Sequence, residues 1–196
     1  MTLPKKLSVT FSARRQDPLL LHEVGDVFHS WIARGELNDL LVDVADYQHV
    51  PRGPGVLLIG HECNYQVKKD DLAQIQLVCW QKRPLANKCC PLTEVFTRAL
   101  RACALLEQET KWSGLFDPMQ VRIGSRDRLE TEHPALCLEE FSWHVRQTLS
   151  KALLTVPTVK GQEGDTPKVI AQWVSERSIR EMDEQLSHHP RRGEVA

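Results

Sequence analysis

Apolar and polar positions along the chain fall into a short series of periods. Leu7–Ala13 (LSVTFSA) alternates, which is the period of a half-buried strand. After Pro18 the period lengthens. Leu20, Val24, Val27, Phe28 and Trp31 recur at helical spacing and predict a helix that ends at Gly35, a left-handed cap. Leu40–Tyr47 (LLVDVADY) reads as a strand, and its apolar start predicts a central place covered on both faces. His49–Gly55, with two prolines and two glycines, is a turn. Val56–Ile59 resumes a strand that runs on through Tyr65 to Val67 as one arm of a long antiparallel hairpin. After the charged connection Lys68–Asp71, Ile75–Gln81 (IQLVCWQ) is a further strand.

The clearest helix is Pro91–Glu107. Leu92, Val95, Phe96, Ala99, Leu100, Cys103 and Leu106 make one apolar stripe, with Thr93, Arg98 and Arg101 outside it. Lys111–Asp117 is a loop, Met119–Ile123 a short strand, and a third helix runs from about Glu132 to Leu153. Trp31, Trp112, Trp143 and Trp173 read as core or tail-packing residues.

The order β-α-β-β-β-α-β-α indicates an α+β domain over residues 1–154. Its antiparallel or mixed sheet has four to five strands, with helices on one face, in an order related to the ferredoxin-like sandwich. Residues 155–167 hold two prolines and two glycines and read as a linker. Lys168–Leu186 reads as one more helix, with Val169, Ile170, Trp173 and Val174 on its apolar face. The end, SHHPRRGEVA, is expected to be disordered.

Composition narrows the function classes. In 196 residues, 41% are hydrophobic, 26% are charged and the net charge is −1. That balance gives no global attraction to nucleic acid or an anionic membrane, so nucleic acid is not an expected partner, although a local basic patch stays open. No apolar run approaches the ~20 residues of a membrane span, and MTLPKKLSVTF has no apolar core of a signal peptide. A cytoplasmic protein is expected. None of the six cysteines is in C-x-x-C spacing, and all are read as thiols, with the adjacent Cys89–Cys90 pair at a helix entrance the one to watch.

Candidate chemistry gathers around residues 40–65. In Pro51-Arg-Gly-Pro-Gly55, Gly53 and Gly55 permit close backbone approach, and Arg52 beside exposed N–H groups suits an anion. His61-Glu62-Cys63 follows a buried run. In a continuous strand His61 and Cys63 share one face and Glu62 takes the other, a geometry that seldom lets a thiol bond its base. Asp43 and Asp46 point to opposite sides of their strand, a poor acid–base couple, and Asp46 suits a cap on the following turn. Arg122, Arg126 and Arg128 with Asp127 form a mixed-charge cluster that extends an anion-binding face if the sheet brings it to Arg52.

The run VDVADYQHVPRGPGVLLIGHECNYQV also resembles a segment of short, uncharacterised bacterial proteins. The residues that carry the likeness are Asp43, Asp46, Tyr47, His49, Val50, Pro51, Gly53, Pro54, Gly55, Leu58, Ile59, Gly60, His61, Glu62 and Tyr65. It extends loosely over residues 7–154. It implies a coherent domain and brings no activity, cofactor or partner with it.

Two classes of function remain. One is a small cytoplasmic binding or regulatory domain, with Asp46, His49, Arg52, Gly53, Gly55 and His61 around an anion or cofactor. That reading admits a homodimer through the sheet or helix layer and a protein partner at the C-terminal tail. The other is an enzyme, with His61 as general base or Cys63 as nucleophile, helped by Glu62, His49 or Asp46. A metal variant gathers His49, His61 and a carboxylate around one ion.

Overall fold

The computed structural model describes residues 6–15, 20–51, 53–83, 90–108, 112–126, 134–162 and 168–188. Arg52, Cys89, Asp127, Arg128 and the tail from residue 189 lie outside them, as does the side chain of Cys137. The elements are β1 (Leu7–Ser12), α1 (Leu20–Arg34), β2 (Leu41–Asp46), β3 (Val56–Gly60), β4 (Cys63–Lys69), β5 (Ile75–Gln81), α2 (Pro91–Gln108), β6 (Gln120–Ser125), α3 (Pro134–Leu153), β7 (Thr158–Gln162), β8 (Lys168–Gln172) and α4 (Ile179–His188). The strands form one sheet in the order β2-β3-β4-β5-β1-β6-β8-β7, and every neighbouring pair is antiparallel.

The fold is α+β, with a sheet of eight strands rather than four to five. Its centre, β4-β5-β1-β6, has the arrangement of a split β-α-β: α2 carries the chain from β5 to β6 across β1. A β2-β3 hairpin extends one edge and a β8-β7 hairpin the other.

Strand alternation puts one row of side chains under the helices. Leu7, Val9 and Phe11 of β1, Leu77 and Cys79 of β5, Tyr65 and Val67 of β4, Val121 and Ile123 of β6, and Val169 and Ala171 of β8 all face the core. Val24, Phe28 and Trp31 of α1, the stripe of α2, Phe141, Val145 and Leu149 of α3, and Ile179 and Met182 of α4 pack against them. All four described helices therefore cover the same face, and no described helix covers the other. No described helix is long and apolar enough to cross a membrane.

Four expectations are corrected by the sheet. β2 is an edge strand, not a central one, and a bulge between Leu41 and Asp43 turns Val42 outward to 60% exposure. The run 56–67 is two strands, because the chain reverses at His61–Glu62 and pairs Ile59 with Asn64 and Leu58 with Tyr65. Thr158–Gln162 and Lys168–Gln172 are strands rather than linker and helix. Val169 and Ala171 alternate into the core, the period of a strand, and Ile170 faces Arg122 on the other side. α4 starts only at Ile179, after a capping box in which Ser178 Oγ accepts the Glu181 N–H and Glu181 accepts the Ser178 N–H. Trp143, fourth, is 57% exposed rather than packed. The Gly35 cap is as expected: its φ is 65°, and the Glu36 N–H bonds to the Trp31 carbonyl.

One half-buried carboxylate ties the loop after α2 to the helix. Glu107 Oε1 accepts the Phe116 N–H at 2.7 Å. Burial raises its pKa, and the Phe116 N–H and Arg14 only partly offset this. A carboxylate raised on folding contributes stability below its unfolded value of about 4.3, and that contribution is lost as pH rises through the folded value. Glu107→Gln keeps the acceptor and removes the titration. Its Tm relative to the parent protein is expected to climb between pH 4 and pH 7, and a constant difference in a calorimetric pH series would refute the assignment.

Candidate functional site

The β3–β4 reversal decides the fate of His61-Glu62-Cys63. Asp39, whose side chain is fully buried, accepts the Glu62 N–H at 3.0 Å on Oδ1 and the Cys63 N–H at 2.9 Å on Oδ2. Gly60 leaves the room this needs, since a Cβ there would collide with Asp39 Oδ2. Arg98 of α2, expected outside the helix's apolar stripe, is 7% exposed and reaches into the same place. Its Nε bonds Glu94 at 3.0 Å, its Nη2 bonds Glu62 at 2.5 Å, and Nη1 stands 3.4 Å from Asp39. Asp39 and Arg98 thus form an ionic clasp between α2 and the hairpin, which the sequence reading did not single out.

Around that clasp the expected enzymatic pair does not form. His61 is exposed at the bend, where an Arg83 N–H donates to its Nε2 at 3.2 Å. Cys63 points into the core with no exposure, and Cys79 lies beside it. Burial, then the contact with Cys63, pushes the Cys79 thiol pKa well up, the environment of an inert cysteine. The Tyr65 hydroxyl is buried beside Arg98 with no hydrogen-bond partner. His49 lies in the turn before β3 and His61 at the bend after it. The five residues of β3 separate them by roughly 17 Å, beyond the reach of one ion. No group of three or more His, Cys, Asp or Glu among the described residues is placed to hold a metal.

The two aspartates of β2 have local partners. Asp43 Oδ1 accepts the Val44 N–H at 2.8 Å. Asp46 Oδ1 accepts the Gln48 N–H at 2.8 Å, which is the turn cap its position suggested. Cys90 is exposed immediately before α2, with Sγ 3.8 Å from the Thr148 hydroxyl. Partial burial works to raise its pKa, but hydrogen bonds from the Thr93 and Leu92 N–H groups and from Thr148 outweigh it and leave the thiol below its ordinary value.

The larger feature is a groove of about 1520 Å3 that runs over the open face of the sheet and is also lined by Leu21 and His22 of α1. One end is the turn before β3, with Tyr47, Gly53 and Gly55 in its wall, and Gln66 Nε2 binds this turn to β4 by donating to the Pro54 carbonyl at 2.6 Å. Ser8, Gln66, Gln76 and Val78 form its floor, and Arg122, Arg126 and Lys168 line its far side. Gly53 and Gly55 of the expected ligand set belong to this wall; Asp46, His49 and His61 do not.

Charge in the groove is lopsided. Lys68, Lys69, Arg122, Arg126 and Lys168 face two carboxylates, Asp70 and Asp71. Asp70 is already committed, accepting the Leu72 and Gln74 N–H groups on Oδ1 and Gln76 Nε2 on Oδ2. Arg122, Lys68 and Lys168 make no ion pair with any described residue, and the buried Nε of Arg122 has no acceptor among the described residues. Arg126 lies over the Trp80 ring, 4.6 Å from its centroid, and burial lowers its pKa. On the helix side, by contrast, Arg14, Arg34, Arg98, Arg101 and Arg180 all have carboxylate partners.

No family model, curated protein or solved structure matches this chain. The functional reading therefore rests on the groove itself.

Proposed function

We propose that the chain is a small cytoplasmic binding or regulatory domain whose ligand is anionic and sits in the open-face groove. The observation that carries this reading is the set of unneutralised cations there, above all Arg122 with its buried, unpartnered Nε. A buried donor without an acceptor costs on the order of 1–3 kcal/mol, and an anion bound beside it would return that energy. The turn at Gly53–Gly55 supplies the groove's other wall, so the segment first suspected from sequence is retained as part of the site, with Arg122 added to it.

Calorimetric titration with pyrophosphate at low salt tests the reading. Arg122→Gln is expected to weaken binding about 10- to 100-fold, the worth of one charge-assisted hydrogen bond, with no change in Tm beyond a degree or two. Equal affinity in the two proteins, or no heat with either, would defeat it.

A further inference from the structure

The cations of the groove are spread across the sheet rather than gathered at one point. Lys68 is on β4, Arg122 on β6 and Lys168 on β8, in the order β4-β5-β1-β6-β8. Neighbouring strands stand about 4.8 Å apart, so Lys68 and Arg122 belong to strands roughly 14 Å apart, and Lys68 and Lys168 to strands roughly 19 Å apart. One phosphate or carboxylate cannot serve all three. The volume, about 1520 Å3, also exceeds the roughly 300–1,000 Å3 of a small-molecule site.

Between the charges the floor is uncharged. The register places Gln66 beside Val78, Val78 beside Thr10 and Thr10 beside Arg122, one continuous row across four strands. One row along, Asn64, Trp80, Ser8 and Gly124 lie side by side. Arg126, whose guanidinium lies on the Trp80 ring, offers a planar face at one end of the groove, and Tyr47, 39% exposed, offers a ring at the opposite wall. Spaced cations, amide and hydroxyl groups between them and planar groups at the margins match a ligand with repeated anionic links and flat, hydrogen-bonding units.

Resting on the anion-groove reading above, we infer that the open sheet face binds a single-stranded nucleic acid. Its phosphodiester links would lie along Lys68, Arg122 and Lys168, with unstacked bases against the sheet. A duplex hides the faces of its bases and gains nothing from Tyr47 or the Arg126 guanidinium. An acidic peptide would meet the charges but leave those planar faces unused. The near-zero net charge of the chain is no obstacle, since binding depends on the local excess of five basic side chains over two aspartates in the groove.

Fluorescence anisotropy with labelled 12-nucleotide oligo-U and oligo-dT, titrated with the full chain between 50 and 200 mM salt, tests this. Three neutralised phosphates on a single strand give a slope of about −2 in log K against log salt, an affinity loss of about 20-fold over that range. Lys68→Gln, Arg122→Gln and Lys168→Gln are each expected to reduce the slope by about 0.7, while Arg146→Gln on the exposed side of α3 leaves it unchanged. Tighter binding of one oligonucleotide would identify RNA or DNA as the natural strand. Slopes that ignore all three substitutions, or equal binding of a duplex or polyglutamate, would overturn the inference. Pyrophosphate binding that depends on Arg122 without any oligonucleotide binding would overturn this inference alone, whereas loss of both would remove the anion reading as well.

Discussion

Arg98→Ala is expected to lower the stability of the folded chain by about 3–5 kcal/mol, the cost of removing one partner from a buried ion pair. The guanidinium is the only cation within 4.0 Å of Asp39 and Glu62 among the described ion pairs, and it also bonds Glu94; the three side chains are 0%, 23% and 12% exposed. Without it, Asp39 keeps its two N–H donors but faces two other carboxylates in a setting that water hardly reaches. A loss of that size is a large part of the roughly 5–15 kcal/mol that holds a domain together. It should appear in urea unfolding as a lower midpoint at unchanged slope. Arg98→Lys should rescue little, because a point charge cannot bond three carboxylates in different directions. Tyr65→Phe, in the same core, removes a hydroxyl that has no partner among the described residues and should be neutral or stabilising. An Arg98→Ala loss below about 1 kcal/mol, on the scale of an exposed pair, would mean that solvent already screens the clasp.

The second large effect is expected at Gly55. Its φ is 74°, and a Cβ there would run into the Val67 carbonyl and the Lys68 Cα of the neighbouring strand. Both obstacles are backbone, so neither can step aside as a flexible side chain would. Gly55→Ala therefore combines a left-handed conformation, costing about 1–2 kcal/mol, with overpacking of about 1–3 kcal/mol. A destabilisation near 3 kcal/mol is expected, together with weaker anion binding, because the turn forms one wall of the groove. Gly114 also has a positive φ, 64°, but a Cβ there meets nothing within 4 Å, so Gly114→Ala should cost only the conformational part. Equal losses at the two glycines would show that close approach to Val67 has no weight.

Much of the fold was legible where one helix or strand carried its own signal. The α2 stripe and the Gly35 cap are set by residues within a turn or two of each other. Positions settled by the rest of the sheet were harder. Leu40–Tyr47 is apolar enough for a central strand, yet the bulge and edge position expose Val42. Val169 and Ile170 fit a helix stripe, but β6 offered an open edge and took them as a strand. Ser178 and Glu181 form a capping-box spacing that could have located α4 from sequence. The Arg98 clasp had a partial signal in Glu94, four residues earlier; Asp39 had none, because it acts on a hairpin more than twenty residues away. The groove had Arg122 and Arg126 in view, but Lys68 and Lys168 join them only through the strand order.

That strand order has a consequence for how the chain folds. β1 is synthesised first, yet its two neighbours are β5 at residues 75–81 and β6 at residues 120–125. Closing those pairings demands long loops before any contact returns energy, the condition for slow folding. The β2–β5 meander can form from adjacent segments while β1 is still single. β1 therefore serves as the late-closing seam of the sheet, and until β6 at residues 120–125 is made, it holds the hydrogen bonds of one of its edges in reserve.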